Sequence, residues 1–533
     1  MKTISILNDV LGPVMRGPSS SHTAGPFHIA QLARSLLGQE PAAVTLVFDP
    51  QGSFAAVYQA QGSDLGFAAG CMGWSITDER FAQVLQLAEK QGLQIRFLVE
   101  PIAGANHPNT VELRMVDQSG GALTVEAQSI GGGAVVITRV AEWPIRLTGN
   151  AYEVLLVVAA ASETIARNQL QEEDGLLGPL ECIRMNGRVL LRAQRSSALP
   201  AVSQARLRNL HGFHELLMAP PLGLVVQGTA LFTSASEAIH LAEQQGLSLG
   251  QIALAYEAAL LGVSKRIVIE NILQRFKVMS AAVHLGQSEN LPRMRLLSPS
   301  ARDIFQAESA GRLPIGGIHT RAAARALGVM HVNAGGGVVC AAPTAGSSGV
   351  IPGVIETLVA ERDLQGDPLA MAILAAGAIG VIVAERATFA AEVAGCQVEI
   401  GASCAMAAAA VVEWAGGSAL HACNAAAIAF QNSMGSICDP VQGLVEIPCH
   451  TRNAAAAANA FLCADLVQGG YQNPIPLDET IDAVRSVGAM LPCELRCTAR
   501  GGLAIAPSAH GIASVKVKAG TLASHRAAKA EAV

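Results

Sequence analysis

The 533-residue chain is poor in charge. Asp, Glu, Lys and Arg make up 15% of it, against roughly 25% in an average soluble domain. Hydrophobic residues make up 51%, which excludes disorder over most of the length. Nor is the charge basic: a net charge of −6 and a pI near 6.1 leave no positive footprint for nucleic acid or an anionic membrane surface. Small molecules are the expected partners.

A long apolar run is also missing. The strongest candidate, residues 369–384, carries 16 uncharged residues between Asp367-Pro368 and Glu385-Arg386, fewer than the roughly 20 a bilayer span needs. Its Ala and Gly content suits close helix packing, so it reads as a buried helix. The opening MKTISILNDVLGPVMRG lacks an apolar core followed by a small-residue cleavage site. A cytoplasmic protein with no membrane partner is expected.

Short paired cysteine spacings, as in zinc ribbons or ferredoxins, are absent too. Of eleven cysteines, Cys71 and Cys182 stand alone and nine lie between Cys340 and Cys497. A disulfide framework is not expected in a long cytosolic chain. Lone buried cysteines act as small hydrophobes, so packing is the default reading for most of them.

By pattern the fold class is α+β and multi-domain. Residues 1–146 mix short apolar runs such as Val44-Thr45-Leu46-Val47-Phe48 with amphipathic stretches, an α/β domain. Residues 147–218 alternate strand-like and helix-like runs, a small βαβ-type module. A Pro220-Pro221-Leu222-Gly223 linker follows, and 225–515 read as a mostly α-helical domain. Residues 516–533 are small, polar and Lys-containing, a flexible tail.

Three sets of residues could carry chemistry. Gly17-Pro18-Ser19-Ser20-Ser21-His22-Thr23-Ala24-Gly25-Pro26 precedes an amphipathic helix pattern; its hydroxyls can cap a helix and receive an anion, and His22 can carry a proton. Composition alone favours a plain Ser-rich capped loop. Asn106-His107-Pro108-Asn109-Thr110 is a polar turn, and Gly131-Gly132-Gly133 a point of close backbone approach. The third set is Ala342-Pro343-Thr344-Ala345-Gly346-Ser347-Ser348-Gly349 with Cys396, Cys438 and Cys449. Spacing alone does not unite these cysteines: 41 residues separate the first two and 10 the next two.

The runs GPSSSHTAGP, HPNT, APTAGSSG, AGCQVEIG and CDPVQGLVEIPC, the last followed by Arg452-Asn453, together with Arg500-Gly501-Gly502-Leu503-Ala504, resemble the bacterial iron-sulfur L-serine dehydratases (L-serine ammonia-lyases). The resemblance covers most of the chain, with the β-domain and the α-domain fused. It implies a 4Fe-4S cluster held by Cys396, Cys438 and Cys449, whose fourth iron takes no protein ligand and acts as a Lewis acid on the substrate hydroxyl. It implies conversion of L-serine to pyruvate and ammonia, in amino-acid degradation that feeds gluconeogenesis. The amino-acid substrate is placed among Ser19, Ser20, Ser21, Thr23, Gln61, Asn106, Asn109, Thr344, Ser347, Arg452 and Asn453, with His22 and His107 as catalytic candidates. A homodimer is expected. Residues 147–218 resemble a degenerate ACT-like regulatory module. No cysteine follows Cys497, so the cysteine tail that occupies the open iron in some relatives is not expected.

The sequence also departs from the family pattern. Relatives carry a histidine where Gln61 stands, and an amide cannot accept and carry a catalytic proton. Glu385-Arg386-Ala387-Thr388-Phe389-Ala390 replaces an Asn- and Ser-rich run. The alternatives are a hydro-lyase for another β-hydroxy amino acid, or a non-catalytic regulatory relative that keeps the cluster. Ser264-Lys265-Arg266, the one Lys beside a Ser that could suggest pyridoxal phosphate, lies in a plain helical pattern.

Overall fold

The structure, a computed structural model, describes residues 3–289, 291 and 294–512; the tail expected at 516–533 lies outside them. Near the N-terminus a six-stranded sheet runs in the order Gln94–Val99, Pro41–Phe48, Thr110–Asp117, Ala122–Gly131, Ala134–Val140, Trp143–Leu147. Only its first pair is parallel; the others are antiparallel. The expected α/β character is thus confined to one crossover. Short connections such as Gly132-Gly133 join neighbouring strands, and a tight connection forces antiparallel pairing. Burial alternates along Ala122–Gly131, and helix Gly25–Leu37 covers the sheet.

Residues 152–219 form a second sheet in the order Phe213–Ala219, Tyr152–Ala159, Arg188–Arg195, Glu181–Met185, all antiparallel. With helices Glu163–Gln171 and Ala201–Arg208 the chain order is βαββαβ, the split-βαβ arrangement. The alternation of strand-like and helix-like runs read from the sequence corresponds to Tyr152–Ala159, Glu163–Gln171, Glu181–Met185 and Arg188–Arg195. Helix Ala201–Arg208 lacks an amphipathic stripe to announce it.

The remainder is helical and packed on small residues. A Cβ on Gly286 would stand 2.1 Å from the Gly328 carbonyl oxygen, so helices Lys265–Gly286 and Ile318–Ala334 nearly touch backbone to backbone. Ser248, Ser264 and Ser418 cap the helices that follow them. The apolar run 369–384 lies within helix Gly366–Arg386. That helix and Cys396–Trp414 are long and apolar enough to cross a membrane, but their apolar windows are 78% and 89% buried inside the protein.

The first residues pack with this helical core and not with the nearby sheet. Ile6, Leu7, Val10 and Leu11 are fully buried there, the first three in a single π-helical turn, Ile6–Val10, and Leu11 at its end. Its free N–H groups meet the Glu257 carboxylate, which accepts from Ile6 (2.8 Å), Leu7 (3.0 Å) and the Ser5 hydroxyl (2.5 Å). At the other end Arg275 donates to the Leu7 and Leu11 carbonyls. Opposite charges from the helical domain therefore satisfy both ends of the turn. Beyond it, Val14–Arg16 pairs antiparallel with Val338–Cys340.

Replacing Glu257 by Ala leaves three buried donors without an acceptor and is expected to destabilise the protein by roughly 2–4 kcal/mol. Glu257→Gln, which keeps an acceptor, should lose less. Urea unfolding of both variants measures the difference.

Candidate active site

Val14–Arg16 delivers the serine run to the boundary between the two halves. Ser19 to Thr23 are all buried, and the Ser19 hydroxyl accepts from the His22 N–H (3.1 Å) to start the turn Ser20–Ala24. Glycines bracket the run because nothing larger fits. A Cβ on Gly17 would lie 2.0 Å from the Asn333 carbonyl oxygen, and one on Gly25 2.2 Å from Ser129 Oγ. The Thr344 loop lies against it: the Ala345 N–H donates to Ser20 Oγ (3.2 Å). Thr344 and Ser347 share a hydroxyl hydrogen bond (2.9 Å). Asn453 braces that loop, donating to the Gly346 carbonyl and accepting from the Gly349 N–H.

Two carboxylates absent from the sequence-derived set sit beside these loops. Asn109 donates to Glu392, which also bonds Ser21. Glu399 bonds Thr344. Burial raises both above the usual carboxylate range; Glu399 is raised further by the neighbouring Cys396 and Glu392 charges. Gly131, with φ +99°, lets the sheet approach the Ala390 backbone nearby.

Cys396 and Cys438, which spacing alone could not unite, are brought together, and Cys449 lies near enough to interact electrostatically with Cys396. Cys396 opens a short turn leading into helix Ile400–Trp414, and Cys449 is the first residue of helix Cys449–Gln468. A helix N-terminus favours negative charge on the Cys449 sulfur. A ligand atom from each of Cys396, Glu399 and Cys438 lies within 4.8 Å of the other two. The hydrogen bond from Cys438 holds the Cys396 thiol below its ordinary range, against burial and with help from Arg452. Arg452 donates to the Ile437 carbonyl (2.8 Å), pairs with Asp439 (3.0 Å) and reaches Cys396 Sγ at 3.8 Å. Burial pushes Cys449 up, and the charges of Cys396 and Glu399 add to this. Buried thiols gathered under an arginine are a donor set for a soft metal centre.

The histidines differ in setting. His22 is fully buried, its Nε2 3.0 Å from Ser53 Oγ and its Nδ1 without a partner. Ser53 in turn donates to the Cys497 carbonyl (3.3 Å). His107 is half-buried; its Nδ1 accepts the Asn109 N–H, and the ring faces a cavity lined by Gly131 and Phe389. Asn106 is exposed and accepts from Gln128 (2.8 Å), so it is not drawn into the buried constellation. Gln61 is: Thr23 donates to its carbonyl, and its amide donates to the Gly443 carbonyl (3.1 Å) and to Cys497 Sγ (3.4 Å). The residues that sequence reasoning missed are Ser53, Glu392, Glu399, Asp439 and Cys497. Glu399 and Asp439 had a signal, lying inside the cysteine motifs, whereas the others reach the site only through the fold.

Burial lowers the pKa of His22 from 6.5 to about 3 and that of His331, whose ring lies 5.1 Å from that of His450, to about 4. A neutral ring in the folded protein that protonates freely when unfolded contributes stability in full above pH 6.5, lost as pH falls toward the folded value. Stability should therefore drop below neutrality, by about 2 kcal/mol near pH 5 from His22 alone. Urea midpoints across that range should fall less steeply in His22→Gln.

Residues 244–504 match the family model described as serine dehydratase alpha chain. A probable L-serine dehydratase alpha chain of Bacillus subtilis (strain 168) is 34% identical over 300 residues, covering 56% of this chain and 100% of that protein. The L-serine dehydratase alpha chain of Peptoniphilus asaccharolyticus is 32% identical over 279 residues, 51% of this chain and 94% of that one. A probable beta chain from the same Bacillus is 41% identical over 158 residues, 30% of this chain and 70% of its own length. The loops that meet at the buried thiols thus lie in sequence shared with these enzymes, and the chain belongs to the L-serine dehydratase family, with alpha- and beta-chain sequence fused in one polypeptide.

Proposed function

We propose that this protein deaminates L-serine to pyruvate and ammonia at the boundary between its sheet domain and its helical domain. One observation carries the reading: Cys396, Cys438 and Cys449, far apart in sequence, converge with Arg452 beside the buried hydroxyls of the Ser19 and Thr344 loops. Relatives covered along almost their whole length are named L-serine dehydratases.

The three thiols fit a 4Fe-4S cluster, the soft ligation that carboxylates and imidazoles alone would not supply. When bound, such a cluster with one iron free of protein ligands supplies a Lewis acid for a hydroxyl leaving group. The chain's own residues do the rest. Ser20, Ser21, Thr344 and Asn109 offer hydrogen bonds to a carboxylate and an amine in a site closed to bulk water. Arg452 offsets negative charge at the sulfurs. Loss of the Cα proton and the β-hydroxyl gives an enamine, which hydrolyses to pyruvate and ammonia.

His22 is the base in this reading. Its ring is neutral at working pH and its Nδ1 is unengaged. Alone it is a weak base, but an anionic substrate beside it raises its proton affinity. Gln61, which spends both amide hydrogens on Gly443 and Cys497, binds and does not transfer protons. A second reading, dehydration of another β-hydroxy amino acid, draws on this residue, because an amide favours a different substrate contact from an imidazole. The protein is read as a cytoplasmic enzyme, and the βαββαβ module as an ACT-like regulatory unit.

Cys396→Ala, Cys438→Ala and Cys449→Ala should each lose iron, sulfide and turnover, whereas Cys340, Cys404, Cys423 and Cys463 should tolerate Ala with the cluster retained. Iron and sulfide analysis of anaerobically purified protein, with pyruvate or 2-oxobutyrate formation from L-serine and L-threonine, decides both the centre and the substrate. An intact cluster in Cys438→Ala would refute the ligand set.

His22→Ala should lower kcat on the order of 10²- to 10⁴-fold while leaving the visible absorption of the cluster unchanged. Near-normal turnover in that variant would move the base elsewhere, with His107 next.

A further inference from the structure

Two carboxylates of the site lack a counter-charge. Glu392 is 3% exposed, and Glu399 stands between Thr344 and the cysteines. Among the described residues no arginine, lysine or histidine pairs with either. Arg452 is committed to Asp439, the Ile437 carbonyl and Cys396. Buried glutamates elsewhere are neutralised or saturated. Glu153 receives Arg192 in a two-pronged ion pair of 2.7 and 2.8 Å, and Glu356 meets His284 at 3.3 Å. Glu257 and Glu446 each accept three hydrogen bonds, those to Glu446 from the backbone N–H groups of Arg295, Leu296 and Leu297.

Glu392 and Glu399 also act on each other. They are close enough for the charge of Glu392 to hold the Glu399 carboxyl up, in addition to the burial that raises both. Two like charges kept together in a closed site cost free energy, and a cation between them offsets that cost. A third group points to the same ligand. Asn109 is fully buried; its Nδ2 donates to Glu392 and to the Ser129 carbonyl (3.4 Å), and its Oδ1 has no partner. A buried acceptor left open beside two anions lacks a donor. An ammonium group brings three N–H donors and one positive charge, which matches two carboxylates and one amide oxygen.

We propose that Glu392, Glu399 and Asn109 form a monocation site that takes the ammonium group of the substrate and so restricts the enzyme to amino acids. The proposal rests on the deaminase reading above and sorts the two ends of the substrate within that site. The hydroxyls of Ser20 and Thr344 are left to donate to the carboxylate, while the ammonium group faces the two glutamates. A hydroxy acid of the same shape without the amine leaves both carboxylates and Asn109 Oδ1 unmatched. Sites built around a buried polar contact reject the analogue that lacks it most strongly. No bond is made or broken in this role; the three residues bind and orient. An alkali cation carries the same charge and would meet the same oxygens, so the test separates the two.

The test uses anaerobically reconstituted full-length protein, wild type, Glu392→Gln and Glu399→Gln, with the visible spectrum of each recorded. Two probes are titrated by calorimetry: L-alanine, which is L-serine without its hydroxyl, and 3-hydroxypropionate, which is L-serine without its amine. Glu392→Gln still accepts from Asn109 and Ser21, so the packing is kept while the charge is lost. It should weaken L-alanine binding and raise the KM for L-serine roughly 10- to 100-fold, with 3-hydroxypropionate bound as well as by the wild type or better. Glu399→Gln should do the same; where its spectrum is altered, Glu392→Gln decides. Equal weakening of both probes, or no change in either, would overturn the proposal and leave the deaminase reading standing. A requirement for KCl or NaCl in the wild type that disappears in Glu392→Gln would also overturn it, making the pair the seat of a resident alkali ion. Absence of turnover on L-serine and L-threonine in the wild type would refute the deaminase reading itself, and the two calorimetric titrations would still decide the ammonium site.

Discussion

The three-residue pairing of Val14–Arg16 with Val338–Cys340 fixes the geometry of the site. It clamps together segments more than 300 residues apart, and each leads within a few residues into a hydroxyl-rich loop. Ser20 meets Ala345 because Val14 meets Cys340. Side-chain hydroxyls are short and make directional bonds, so a site built from them needs its backbones placed within about an ångström. A strand pair in the core provides that placement better than two flexible loops could.

The site is polar in a protein poor in charge. Glu392, Glu399, Asp439, His22 and Arg452 are gathered in or beside it, while the surrounding helices are Ala-rich and apolar. Buried polar groups are costly unless paired. Glu392 has Asn109 and Ser21, Glu399 has Thr344, and Asp439 has Arg452 and the Leu503 N–H. His22 Nδ1 stays unpaired, as do His331 Nδ1 and both ring nitrogens of His450.

Much of this was legible in the sequence. The helix after Pro26 and the run 369–384 showed themselves through periodicity and composition, because a helix repeats its pattern every few residues. The serine run and the cysteine motifs showed themselves as unusual local strings. The gathering of Cys396, Cys438 and Cys449 was not legible from spacing, since that depends on how helices cross. Cys497 was hidden for the same reason. It stands outside every motif, and only the docking of its loop onto Cys438 turns it toward the other sulfurs. The mostly antiparallel sheet was hidden too, because short apolar runs look alike whichever way the neighbouring strand points.

The turn Ile6–Val10, held between Glu257 and Arg275, has a consequence for how the protein is made. Its partners are encoded some 250 residues later, and ribosomes extend chains at roughly 5 to 20 residues per second. Four large apolar side chains therefore wait roughly 10 to 50 s for their pocket, while the sheet between them can already fold. During that interval these side chains stay exposed, so the helical core closes around the first residues only after the second half of the chain has been made.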